Sequence, residues 1–189
     1  MSAGVPSAPL EAIEAHLLRH AAGRAQDVGL ARMLASRACG RGALPPDLGL
    51  GAEGLAALLA RHFPGFEPGV TVSVPRVSSS RFDEREELIV LLCEHARDDS
   101  AEHRDIAVIV ATACLGNKHL WEDLGLWCRA DLTRLLTTSF PTLVGKNVHD
   151  MKWKKFLYKQ LCEREGLHLC RAPSCAVCPD YAQCFGPEE

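Results

Sequence analysis

The densest chemistry in this 189-residue chain lies near its end, in CRAPSCAVCPDYAQC, where Cys170, Cys175, Cys178 and Cys184 follow the spacing Cys-x4-Cys-x2-Cys-x5-Cys. Thiolates are soft ligands that hold zinc or iron–sulfur clusters, and in oxidising surroundings they pair with one another. The Cys175–Cys178 pair lets two sulfurs reach one centre from a single tight turn, with Cys170 and Cys184 folding back on either side. Pro173 and Pro179 keep the intervening loops out of helix. After Cys170 the sizeable apolar side chains are Val177, Tyr181 and Phe185, too few to order the segment by burial, so a bound metal is the expected staple.

Three staples compete for these thiols. A disulfide clasp belongs to an oxidising compartment. The opening MSAGVPSAPLEAIEAHLLRH lacks the apolar core and small-residue cleavage site of a secretory signal, which predicts a reducing, cytoplasmic setting. Zinc ribbons use two Cys-x2-Cys knuckles about 15–20 residues apart, whereas this tail has one knuckle with closely flanking thiols. The first three cysteines instead reproduce the Cys-x4-Cys-x2-Cys run of plant-type iron–sulfur proteins. Spacing therefore ranks an iron–sulfur cluster ahead of zinc and leaves zinc open. A cluster so near a chain end is expected to be partly exposed, which suits sensing or handing on a metal.

The remaining five of the nine cysteines are scattered, and Cys39, Cys93 and Cys114 read as small side chains packed along helices. Cys162 and His168 lie eight and two residues before Cys170, and His119 stands beside Trp121 in a turn. Each is a candidate extra ligand whose simpler reading is helix packing or plain exposure. Lys152, Lys154, Lys155 and Lys159 form a basic stripe able to attract an anion or an acidic partner, with a solvated helix face as the simpler reading. No GxSxG elbow, Gly-rich phosphate loop or HExxH helix occurs, so no catalytic residues are assigned and an enzyme is not expected.

The elements that must position the tail read as an all-α body. Hydrophobic residues at 47% and charged residues at 24% are ordinary for a globular protein with a real core, and a net charge of −3 argues against nucleic-acid binding. No run approaches the roughly 18 apolar residues of a membrane span. Helical spacing is clear in LEAIEAHLLRHAA (10–22), in FDEREELIVLLCEHA (82–96), with Asp83 and Glu86 in capping-box register, and in SAEHRDIAVIVATAC (100–114). Pro141 to Glu165 reads as one long amphipathic helix closed by Gly166, with Trp153, Phe156, Leu157, Tyr158 and Leu161 packing it onto the body. GVTVSVP (69–75) alternates like a strand but has no partner, so it reads as an extended connector.

DLGLGAEGLAALLARHFP (47–64) is echoed by DLGLWCRADLTRLLTTSFP (123–141), with Leu55, Leu58, Leu59 and Phe63 matched by Leu132, Leu135, Leu136 and Phe140. The echo extends upstream with a slowly drifting offset, which predicts two related helical units, 13–64 and 88–141. The expected organisation is a helical domain over 1–166, including a long helix over 142–165, and a cysteine-rich tail over 167–189.

Residues 151–186, MKWKKFLYKQLCEREGLHLCRAPSCAVCPDYAQCFG, together with HLWEDLGL (119–126), closely resemble the NifQ family of nitrogen-fixation proteins, whose hallmark is this same four-cysteine spacing. The resemblance is firm over the last third of the chain. It implies an iron–sulfur cluster that carries molybdenum, bound through Cys170, Cys175, Cys178 and Cys184. It also implies a carrier that delivers the metal for assembly of the nitrogenase iron–molybdenum cofactor. The partners it implies are the cofactor scaffold complex and the nitrogenase iron protein. An electron-transfer protein with an all-iron cluster and a zinc-stapled adaptor are the competing expectations.

Overall fold

The computed structural model describes residues 8–67, 82–164, 166 and 184–185. They form α1 (Ala8–Leu18), α2 (Asp27–Ala38), α3 (Gly51–His62), α4 (Phe82–Glu94), α5 (Ala101–Cys114), α6 (Leu120–Asp123), α7 (Arg129–Ser139), α8 (Pro141–Val144) and α9 (Trp153–Arg164). No strand occurs among the described residues, in line with the all-α expectation. The alternating stretch 69–75 lies outside them.

Local chemistry sets the helix ends. Ser100 caps α5 in extended backbone, its Oγ accepting the His103 N–H at 3.5 Å. Asp98 supports that cap from outside, accepting the Ser100 N–H at 3.0 Å and pairing with His103 Nδ1 at 2.8 Å. These bonds to Ser100, and then to His103, hold the Asp98 carboxyl down at about 2. α4 starts at Phe82, two residues earlier than a cap at Asp83 would allow. Asp83 and Glu84 therefore sit inside its first turn, where carboxylates complement the helix dipole.

The single long helix expected over 142–165 is corrected to two pieces, α8 and α9, separated by residues 145–152. Asn147 makes the break: its side-chain amide donates to Met151 O at 2.9 Å, and its Oδ1 accepts the Met151 N–H at 2.8 Å. Such a local Asn loop offers the backbone an alternative to helix. Asp150 adopts a left-handed φ of 51° within it. Leu143 and Met151 are both buried, so apolar spacing runs across the break and disguises it in the sequence.

The apolar faces converge on one core. Leu30, Met33, Leu58, Phe63, Leu88, Leu92, Ile106, Ile109, Leu132 and Phe140 are all essentially inaccessible. Helices α1 and α2 pack together, as do α4 and α5. Helix α3 packs onto α5, and α7 onto α2. The ends of α3 and α7 match closely: Phe63 has φ −134°, ψ 63° and Phe140 has φ −132°, ψ 57°. The preceding carbonyls do the same work, His62 O accepting the Ala22 N–H and Ser139 O the Arg97 N–H, each at 2.8 Å.

Candidate metal centre

Helix α9 carries the tail, and its sequence fixes it firmly to the body. Trp153, Phe156, Leu157 and Leu161 recur at helical spacing and are buried, while Tyr158 donates its hydroxyl to Glu84 Oε2 at 3.4 Å. Arg164 pairs with Glu94 on α4 at 2.7 Å. Gly166, with φ 70°, follows the helix in the left-handed conformation, its N–H reaching Glu163 O at 3.2 Å.

The chain is next described at Cys184, by the opposite end of the same helix. The Cys184 carbonyl accepts the Lys152 N–H at 2.8 Å, one residue before α9 begins. Phe185 is buried in the core at 5% exposure, and the half-buried Cys184 packs against it. A 12-residue helix rises about 18 Å, so Gly166 and Cys184 are anchored near its two ends. Of the four predicted ligands, the structure places Cys184; Cys170, Cys175 and Cys178, with His168, lie outside the described residues.

Cys184 fits a cluster ligand on its own terms: a soft sulfur donor on backbone held by a hydrogen bond and a buried aromatic neighbour. The spacing alone gave no role to Phe185, although it is one of the few large apolar residues of the tail. Elsewhere, no group of three or more His, Cys, Asp or Glu side chains is arranged to hold a metal among the described residues. Cys162 is half-buried on α9, Cys128 is exposed, and Cys39 and Cys114 sit at the ends of α2 and α5, with Cys114 fully packed and Cys39 only half-covered. Cys93 is half-buried on α4, and burial pushes its thiol up, away from thiolate chemistry. His119 precedes α6, its N–H donating to Glu122 Oε2 at 3.1 Å.

The HLWEDLGL stretch is tied to the tail anchor by a buried ion pair. Asp123 is 2% exposed; its Oδ2 accepts the Lys118 N–H at 3.0 Å and pairs with Lys154 Nζ, which also donates to Gly116 O at 2.9 Å. Lys154, expected on a solvated basic stripe, is thus the counter-ion of a buried carboxylate two residues from Lys152. The Asp123 carbonyl accepts the Ala43 N–H at 2.8 Å, locking the α2–α3 connection against the turn after α6. Gly42, with φ 83°, makes that approach: a Cβ there would stand 3.1 Å from Asp123 O and 3.2 Å from Gly125 N. The first DLGL turn is held differently, by Arg85 of α4, which donates to Gly49 O at 2.9 Å and Thr112 Oγ1 at 3.0 Å.

Fold and site together define an all-helical protein whose cysteine tail is tied back at Cys184 beside the start of its last helix. None of its described helices is long and apolar enough to cross a membrane. The chain belongs to the NifQ family, whose profile matches residues 29–186. It is 43% identical over 176 residues to Protein NifQ of Azotobacter vinelandii, covering 87% of this chain and 90% of that one. It is 39% identical to the NifQ homolog of Sinorhizobium fredii (85% and 70% covered) and 36% identical to Protein NifQ of Rhodobacter capsulatus (84% and 87%). No solved structure matches the chain.

Proposed function

We propose that this chain is a metal carrier of nitrogen fixation: Cys170, Cys175, Cys178 and Cys184 hold an iron–sulfur cluster, and molybdenum is the cargo it hands on for assembly of the nitrogenase iron–molybdenum cofactor. The observation that carries this reading is the four-cysteine spacing in a NifQ-family chain. Cys184 adds weight, because a ligand fixed beside α9 gives the tail a defined place to close.

The chemistry follows from ligand preference. Molybdenum enters cells as a hard oxyanion and ends in a sulfur-rich cofactor, so its oxygen ligands must be exchanged for sulfur. When bound, the cluster supplies bridging sulfides and electrons for that exchange. The chain's own residues would do the holding: Cys170, Cys175, Cys178 and Cys184 would supply the thiolates that bind the cluster and keep it beside α9. The carrier turns over no organic substrate. Its docking partners are the cofactor scaffold complex and the nitrogenase iron protein, in the cytoplasm.

The body is a platform of two related units, α1–α3 and α4, α5 and α7. The paired Phe63 and Phe140 geometries and the packing of α3 onto α5 and of α7 onto α2 support that reading.

The test is a Cys184→Ala variant purified without oxygen beside the parent protein. The reading expects loss of iron and molybdenum together; full retention of both would remove Cys184 from the ligand set.

A further inference from the structure

Helix α9 buries one face and leaves the other uncovered among the described residues. Trp153, Phe156, Leu157 and Leu161 are buried, and Trp153 Nε1 donates to Thr133 Oγ1 at 3.3 Å. Lys154 reaches sideways to Asp123 and Gly116. On the opposite side Lys152, Lys155, Lys159 and Cys162 recur at helical spacing, with Glu163 beside them. Lys155 and Lys159 are exposed, and Lys155 forms no ion pair among the described residues. Lys159 meets Glu163 Oε1 at 3.6 Å, while Glu163 Oε2 accepts from Gln160 at 2.6 Å. The face therefore sets Lys152, Lys155 and Lys159 against a single carboxylate. No acidic residue lies in the first turn of α9, so the positive end of its dipole adds to the lysines there.

Residues 167–183 join the two ends of this face. The chain leaves it after Gly166 and returns at Cys184, whose carbonyl is bonded to the Lys152 N–H and whose neighbour Phe185 is buried. A metal bound by the Cys184 thiol lies within one side-chain length of it, hence at the Lys152 end of α9, about one turn from Lys155. The segment's own charges, Arg171 and Asp180, cancel. The charge it gains on loading is that of its cluster, in which thiolates and sulfides outweigh the irons and the sum is negative. Place and sign both match the lysine face. Charge alone would also suit an acidic partner; tethering at both ends of the helix selects the chain's own segment.

We infer that the outer face of α9 is the dock for this chain's own residues 167–183, and that Lys155 and Lys159, with Lys152, are positioning residues supplying the counter-charge to the cluster. This rests on the carrier reading for the presence of a cluster, while its place on α9 rests on Gly166, Cys184 and the lysines. Positive charge beside the cluster favours its reduced, more negative form, so the face raises the reduction potential.

The experiment uses the full chain loaded with iron and sulfide without oxygen, beside a variant with Cys170, Cys175, Cys178 and Cys184 all changed to Ser. Amine acetylation read by mass spectrometry reports access to each lysine. Loading should shield Lys155 and Lys159 several-fold, while the exposed Lys118 reacts equally in both chains. In a redox titration, Lys155→Gln with Lys159→Gln should raise the ratio of oxidised to reduced cluster at fixed potential about tenfold, which is ~59 mV for one electron. Lys155→Arg with Lys159→Arg should keep the parent value, and added salt should shrink the difference between the parent and the Gln variant. Equal labelling of Lys155 and Lys159 in the loaded and serine chains overturns the dock. Shielding that grows with protein concentration also overturns it, because a second copy then covers the face. An unaltered potential in the Gln variant overturns the counter-charge. A parent chain that takes up no iron or sulfide overturns the carrier reading, and this inference falls with it.

Discussion

At the scale of single residues, Phe185 does for the tail what its few apolar neighbours cannot. It is buried in the core next to a cysteine whose carbonyl is already bonded to the Lys152 N–H. Replacing it by Ala should cost about 3 kcal/mol of core packing and lower bound iron, whereas Leu should retain most of both. Thermal melts and iron analysis of the two variants check this, and an Ala variant with full iron content would show that Cys184 needs no anchor. The four candidate thiols stand out by spacing alone, and the structure describes one of them, Cys184. Phe185 does not stand out, since one aromatic in a polar tail carries no periodicity to say where it docks. Lys154 was misread for a related reason: charge pattern along a helix cannot reveal a carboxylate 31 residues away in sequence.

At the scale of elements, the Asp123–Lys154 pair joins α9 to the end of α6, and the cap of α5 is supported by Asp98. Removing one partner of a buried pair strands the other charge, so Lys154→Met should cost about 3 kcal/mol or more. Adding Asp123→Asn should restore much of that loss, and chemical denaturation of the single and double variants measures it. Asp98 is held at about 2, below the ordinary carboxylate value of about 3.9. Its contribution is therefore complete above pH 4 and disappears as pH falls through 2. Asp98→Asn should lower stability near neutrality and flatten the acid limb of a melting-temperature profile over that window; an unchanged limb would contradict the cap assignment. Helix positions were legible where apolar spacing met a clear stop, as at Ser100 and Gly166. They were not at residues 145–152, where Asn147 bonds to its own neighbourhood while Leu143 and Met151 keep the apolar period intact.

At the scale of the whole molecule, the helices form one core with the last helix laid across it, and the tail returns to that helix at Cys184. The all-helical class was readable from periodicity alone. The packing of α3 on α5 and α7 on α2 was not, because periodicity says which face is buried and never against what. The central claim is that the four cysteines hold an iron–sulfur cluster that accepts molybdenum. Anaerobic purification of the full chain, followed by iron, sulfide, molybdenum and zinc counts on the same sample before and after incubation with molybdate and a reductant, tests it most directly. The account predicts brown protein containing iron and sulfide that gains molybdenum; colourless protein loaded with zinc and free of iron would contradict it.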